Sequence, residues 1–231
     1  MATLILVRHG RSTANTSGLL AGRTPGVHLD EVGRAQAQTV ADRLAGITVS
    51  RMVSSPLERC LETAEPLAAR TGLPVQPEAG LAECDYGAWS GRAIKELLKE
   101  PLWRVVQRNP SAAHFPEGES LQQMSARAAA AVRRHDREVG EQQADAVWVA
   151  FSHGDLIKSI VADALGLHLD LFQRVHVDPG SISVVRYGEH RPTVLTVNSH
   201  EGALDWVAPR PETAEAPAGD AVVGGGSGPT A

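Results

Sequence analysis

The sequence predicts an α/β fold, a three-layer α/β/α sandwich built on a mainly parallel central sheet. Three observations predict it. Short strand-like runs at residues 3–7, 51–54 and 146–151 end abruptly at Gly10, at Ser55-Pro56 and at Ser152-His153-Gly154. Stretches in which apolar residues recur at helical spacing separate these runs. Strands that alternate with helices in this order pack as parallel sheets with helices on both faces.

The elements follow in order. Residues 3–7, Thr-Leu-Ile-Leu-Val, read as a buried strand. Asp30 caps the next helix, whose inner face is Ala37, Val40, Ala41 and Leu44. The strand at 51–54 is stopped by Ser55-Pro56, and a helix follows with Pro56 in its first turn. Leu121, Ser125, Ala128 and Val132 outline an amphipathic helix over 120–137. Residues 146–151 form the clearest buried strand, and Leu156, Ile157, Ile160, Val161 and Ala164 mark the helix after it. Runs at 175–177, 181–187 and 193–197 read as closing strands. The domain is expected over 1–207, and the Pro/Ala/Gly-rich segment 208–231 is expected to be a flexible tail.

Composition narrows the function classes. The chain has 231 residues, 42% of them hydrophobic, enough for one sizeable core. A formal charge of −5 gives no general attraction to nucleic acid or to an anionic membrane, so any phosphate must be held by locally placed cations. No apolar run approaches the roughly 18 residues of a membrane span. The start of the chain lacks the basic region and cleavage site of a signal peptide, which points to the cytoplasm. Cys60 and Cys84 are too few for a disulfide framework and read as reduced, partly buried thiols.

The chemistry-bearing residues sit at the predicted strand ends, where α/β sheets collect ligands. A histidine in Arg8-His9-Gly10 suits phosphoryl transfer: one ring nitrogen attacks phosphorus while the other is held by a hydrogen bond. Gly10 lets the backbone approach closely, and Arg8 can bind phosphoryl oxygens in a fork. The triplet alone carries little, since single histidines at strand ends are common.

Its sequel carries more. Arg8-His9-Gly10-Arg11-Ser12-Thr13-Ala14-Asn15 resembles the opening signature of the histidine phosphatase superfamily, also called phosphoglycerate mutase-like. The resemblance continues in order through 29–37, through Ser54-Ser55-Pro56 to Arg59 and Ala64, through Glu83-Cys84-Asp85-Tyr86-Gly87, Gly118-Glu119-Ser120 and Ser152-His153-Gly154. It covers roughly residues 3–200 and implies a phosphoglycerate mutase-like fold. It implies His9 as the nucleophile that becomes phosphorylated. Arg8, Arg59 and His153 would surround the phosphoryl group. Glu83 would protonate the leaving oxygen and then take a proton from the attacking water. Asn15, Ser12, Gly22, Arg23, Tyr86 and the Gly154 N–H are implied as substrate contacts, the last at a helix N-terminus.

The chain departs from the family pattern at Arg11, where an acidic or amide residue is frequent; Arg11 either adds positive charge near the site or faces solvent. The other histidines show no pair at helical metal-ligand spacing, so no metal or other cofactor is expected. Trp89 lies near enough to Tyr86 in sequence to border a substrate pocket. Phosphoglycerate mutases of this family carry a Leu-Asn-Lys element after Tyr-Gly and a long proline-rich insertion. Neither is reproduced here, so the resemblance favours a phosphatase of small phosphomonoesters over a mutase. A non-catalytic binder would have lost one of the five core residues, and all five are present. Monomers and homodimers both occur in the family, which leaves the oligomeric state open.

Overall fold

The structure, a computed structural model, describes residues 2–200, so the expected tail at 208–231 and the last residues of the expected domain lie outside it. Its strands are β1 (Ala2–Arg8), β2 (Val49–Ser54), β3 (Val75–Pro77), β4 (Ala146–Ser152), β5 (Ile182–Tyr187) and β6 (Pro192–Ser199). They form one sheet in the order β3-β2-β4-β1-β5-β6. The first four in that order run parallel, while β5 is antiparallel to β1 and β6 to β5. The helices are α1 (Thr13–Ser17), α2 (Glu31–Arg43), α3 (Glu58–Thr71), α4 (Ile94–Leu97), α5 (Pro101–Arg108), α6 (Leu121–Gln142) and α7 (Gly154–Ala164).

The central strands β1 and β4 are mostly apolar because both of their faces are covered. Leu4 and Leu6 of β1 and Trp148 and Ala150 of β4 pack with Ala128 and Val132 of α6 and with Ile157, Ile160 and Val161 of α7. The alternate residues Ile5, Val7, Val147, Val149 and Phe151 pack on the opposite side with Val40 and Ala41 of α2 and with Cys60, Ala64 and Leu67 of α3. Each such aliphatic side chain contributes roughly 1.5–3 kcal/mol of burial. The result is the expected three-layer α/β/α sandwich.

The parallel register brings the motifs together. Arg8 pairs with Ser152, and Ser54 with Phe151, so β1, β2 and β4 end side by side. The His9 N–H donates to the Ser152 carbonyl at 2.9 Å, and the Ser55 N–H to the Phe151 carbonyl at 2.9 Å. The expected caps also form. The Asp30 side chain accepts from the Gly33 N–H at 2.8 Å, and Ser120 closes a capping box with Gln123 at the start of α6.

Several expectations need correction. Residues 175–177 form no strand; the Val177 carbonyl instead accepts a 2.6 Å hydrogen bond from Arg8 Nη1 and is not available to a ladder. Pro56 precedes α3, whose cap is Leu57; the only proline within that helix is Pro66. Helix α6 runs to Gln142, five residues past the expected end, along a face that continues through His135 and Val139. Strand β3 and helices α4 and α5 had no clear periodic signal, being only 3, 4 and 8 residues long.

Strand β1 is locked to α2 where two glycine backbones meet. A Cβ on Gly10 would stand 2.5 Å from the Gly33 carbonyl oxygen, and one on Gly33 would stand 2.0 Å from the Arg11 carbonyl oxygen. Neither obstacle is a flexible side chain, so backbone must move. Gly33→Ala is therefore expected to destabilise the fold by about 1–3 kcal/mol or more, read as a lower urea midpoint with an unchanged denaturant slope. An unchanged midpoint would show that the contact yields freely.

Candidate active site

The ends of β1, β2 and β4 open into a cleft of about 190 Å³. Its lining includes Arg8, His9, Ser12, Asn15, Gly22, Arg59, Glu83, Tyr86 and Gly154. Ten of the eleven site residues expected from sequence thus either line this cleft or, in the case of His153, sit directly behind it. Arg23 lies outside.

His9 is buried, and its tautomer follows from its neighbours. Nδ1 lies 2.7 Å from the Gly10 carbonyl, which can only accept, so Nδ1 carries the proton. Nε2 accepts from Arg59 Nε at 3.4 Å, which leaves its lone pair as the ring's nucleophilic position. Burial first, then the charges of Arg59 and Arg8, hold the imidazole well below its usual pKa. It is therefore neutral.

Arg59 rises from the first turn of α3 and is 1% exposed. Its Nη2 donates to the Gly22 carbonyl at 2.9 Å and to His153 Nδ1 at 3.1 Å. His153 is consequently protonated on Nε2, which donates to Ser55 Oγ at 2.7 Å. Burial, then Arg59 and His9, hold this ring neutral as well. The 3.7 Å approach of Glu83 Oε2 to His153 Nδ1 is accordingly not an ion pair. The two imidazoles meet edge to face, with centroids 5.2 Å apart. His153 reaches the cleft through Arg59.

Arg8 donates through Nη1 to the Val177 carbonyl. Gly154 lies beneath its guanidinium, where a Cβ would come within 3.3 Å of Arg8 Cζ. Among the described residues, Arg8 Nε and Arg59 Nη1 are buried without a hydrogen-bond partner. An unsatisfied N–H on a buried cation is costly, and both belong to side chains that line the cleft with His9. An anion with several acceptor oxygens would satisfy them.

Glu83 faces this cationic pocket. Its Oε1 accepts from the Cys84 N–H at 2.9 Å. Burial, then the charge of Asp155, push its pKa up to about 7, against the opposing pull of Arg59 and Arg8. A carboxyl group so placed can both give and take a proton near neutrality.

The remaining expected contacts vary. Asn15 Oδ1 accepts from the Ser12 N–H and Oγ, each at 2.9 Å, which leaves the amide Nδ2 as the donor it can offer a ligand. Tyr86 donates to Asp155 Oδ2 at 3.0 Å. Arg23 donates instead to the Glu83 carbonyl at 2.8 Å and to Glu119 at 3.0 Å. Gly10 makes its close approach to Gly33, not to the cleft, and its N–H donates to Thr63 Oγ1. Arg11 is paired with Asp30 at 2.6 Å on the flank of α2 and does not line the cleft. Trp89 is a core residue, packed against Trp103 and Phe115, and is not part of the pocket wall.

Sequence reasoning assigned no role to Ser55, Asp155 or Lys158. Asp155 and Lys158 line the cleft one and four residues after Gly154 on α7, so helical spacing from that glycine would have found them. Leu19, Leu20 and Ile94 form an apolar wall that carried no signal. Both cysteines are free and buried; burial pushes the Cys60 thiol up to about 12, although it lies 3.4 Å from His153 Nε2. Among the described residues no group of three or more His, Cys, Asp or Glu could hold a metal ion, and no helix is long and apolar enough to cross a membrane.

The chain is similar to several known proteins. Phosphoserine phosphatase 1 of Hydrogenobacter thermophilus is 32% identical over 86% of this chain and 92% of its own length. A Yersinia pestis protein named "Probable phosphoglycerate mutase GpmB" is 30% identical over 82% of this chain and 86% of its own. The solved structure of mycobacterial glucosyl-3-phosphoglycerate phosphatase Rv2419c complexed with VO3 superposes with a TM-score of 0.77 at 26% identity, covering 85% of this chain and 99% of that one. Residues 4–200 match the family model of the Histidine phosphatase superfamily (branch 1), and the chain belongs to that superfamily.

Proposed function

We propose that the chain hydrolyses small phosphomonoesters through a phosphohistidine on His9, with Glu83 as the proton donor. The observation that carries this reading is the lone pair of a buried His9 in one cleft with two partnerless guanidinium N–H groups and the Glu83 carboxyl group, which burial pushes up in pKa. His9 Nε2 attacks phosphorus as the P–O bond breaks, and the Glu83 proton passes to the leaving oxygen. Glu83, now a carboxylate, takes a proton from water as that water attacks phosphorus and the P–N bond breaks. Inorganic phosphate leaves and His9 is restored. Arg8 and Arg59 bind the equatorial oxygens, assisted by Asn15 and by the Gly154 N–H at the start of α7. His153 acts by fixing Arg59. Ser12, Gly22 and Tyr86 shape the walls. None of these steps requires a cofactor.

Transfer to water is favoured over return to a second hydroxyl. A mutase must keep water from the phosphohistidine, and the cleft-lining Leu19 and Ile94 are half-exposed to solvent. Of the three relatives named above, two are phosphatases and one is named a probable phosphoglycerate mutase. The free, buried thiols of Cys60 and Cys84 support a reducing, cytoplasmic setting.

With a phosphorylated substrate, quenched enzyme should carry a phosphoryl group that survives base and is lost in acid. His9→Ala should abolish that adduct and lower turnover by about 10³-fold or more. Full turnover by His9→Ala would refute the reading.

The pH dependence follows from Glu83. Its acid form is present below about pH 7 and is lost as pH rises through that value. Once the substrate's own ionisation, near pH 6, is divided out, kcat/KM for an alkyl phosphate should fall above about pH 7. The slope should approach tenfold per pH unit. Glu83→Gln should remove this limb, and a limb that persists in it belongs to another group.

A further inference from the structure

Glu83 lies on a segment, residues 83–86, with no regular secondary structure. A general acid must nevertheless stay within hydrogen-bond reach of the oxygen it protonates. Arg127, on α6, donates through Nη1 to the carbonyls of Gly80 at 2.9 Å and Ala82 at 2.7 Å, and through Nη2 to that of Glu83 at 3.0 Å. Arg23 donates to the same Glu83 carbonyl from the other side at 2.8 Å. Glu119 gathers both cations. Its Oε1 accepts from Arg127 Nη2 at 2.5 Å, from Arg23 Nη2 at 3.0 Å and from the Asp85 N–H at 2.9 Å, and its Oε2 from Arg127 Nε at 2.9 Å. Neither Arg127 nor Glu119 lines the cleft, and their side chains are only 22% and 16% exposed.

The backbone around them is equally constrained. A Cβ on Gly118 would stand 2.2 Å from the Asp85 carbonyl oxygen, and one on Gly87 would stand 2.0 Å from that of Pro116. The Glu119 N–H donates back to Asp85 at 2.9 Å. The Gly118-Glu119-Ser120 motif thus joins three tasks: close backbone contact, collection of two arginines, and the cap of α6.

We propose that Arg127, Glu119 and Arg23 are positioning residues that clamp the backbone at Glu83 and so aim its carboxyl group at the leaving oxygen. This rests on the reading of Glu83 as the proton donor. A clamp that only stabilised the fold would not distinguish one substrate from another. A clamp that aims an acid does distinguish them: a primary alkoxide needs the proton as it leaves, and p-nitrophenolate scarcely does.

The test compares kcat/KM, which reports steps through release of the alcohol, for p-nitrophenyl phosphate and a primary alkyl phosphate. Arg127→Met should lower the alkyl value by about 10–100-fold, part of what a general acid supplies, and the aryl value by less than about threefold. Arg127→Lys should recover only part, since a point charge cannot serve three carbonyls in a fork. On a Glu83→Gln background, Arg127→Met should add no further substrate-selective loss. Equal losses on both substrates, or no loss, would overturn the clamp. Should Arg127→Met fail to fold, Arg23→Met, at the more exposed donor, carries the same readout with an expected selective loss of about three- to tenfold. If Glu83→Gln itself lowers both substrates equally, the assignment of Glu83 as the acid fails, and the clamp's purpose fails with it.

Discussion

Two guanidinium groups are buried at the ends of the parallel strands, and among the described residues neither is paired with a carboxylate. Arg59 is held by the Gly22 carbonyl and by the lone pairs of two imidazoles, and Arg8 by the Val177 carbonyl. A buried cation with so few acceptors is expensive, and the cost is tolerated because much of the fold is arranged around it. The same charges help keep His9 and His153 neutral. They also pull against the burial that raises Glu83, which holds that carboxyl group near neutrality instead of leaving it a strong base. One electrostatic constraint therefore bears on the ionisation of His9, His153 and Glu83 together.

The surrounding elements supply what the arginines need. The loop at 175–181 gives its Val177 carbonyl to Arg8 and stands against the strand end, where the Gly180 N–H donates to the Arg8 carbonyl at 3.1 Å. Asp178 anchors this loop, accepting from the amide of Asn198 at 2.9 Å. The loop after α1 offers Gly22, and its continuation is tied to α3 by Glu58 and Glu62, which accept from the N–H groups of Gly26 and Leu29. Arg59 sits between those two carboxylates in sequence. The helix that carries the cation thus also fastens the loop that receives it.

Much of this was legible in the sequence. Strands β1 and β4 announce themselves because a strand buried on both faces must be apolar at every position, and their ends mark where polar residues converge. The ordered motifs located His9, Arg59, Glu83 and His153. The division of labour among them was less legible. In the structure His153 is hydrogen-bonded to Arg59 and Arg23 to the Glu83 carbonyl, partners set by tertiary approach and not by neighbours in sequence. Arg127 carries no local mark: on α6 it reads as one more cation on a helix face, and its three carbonyl partners lie more than 40 residues away. Residues 175–177 looked like a strand because β-branched residues favour extended backbone in a loop as well as in a ladder.

Backbone contacts enclose residues 95–114 on two sides. On one side Gly91 and Ile94 are bonded to the cleft segment, the Gly91 N–H donating to Leu20 and the Ile94 N–H to Gly18. On the other, Gly87 and Gly118 bring their backbones together without room for a side chain. The chain between is fastened at both ends, apart from the segment that carries Glu83. Leu97, Val106, Pro110 and Ala113 of this stretch are buried, and Leu102, Trp103 and Val105 pack against the core. Separate stretches of one polypeptide thereby hold the residues that line the cleft and a segment, 95–114, that lines none of it.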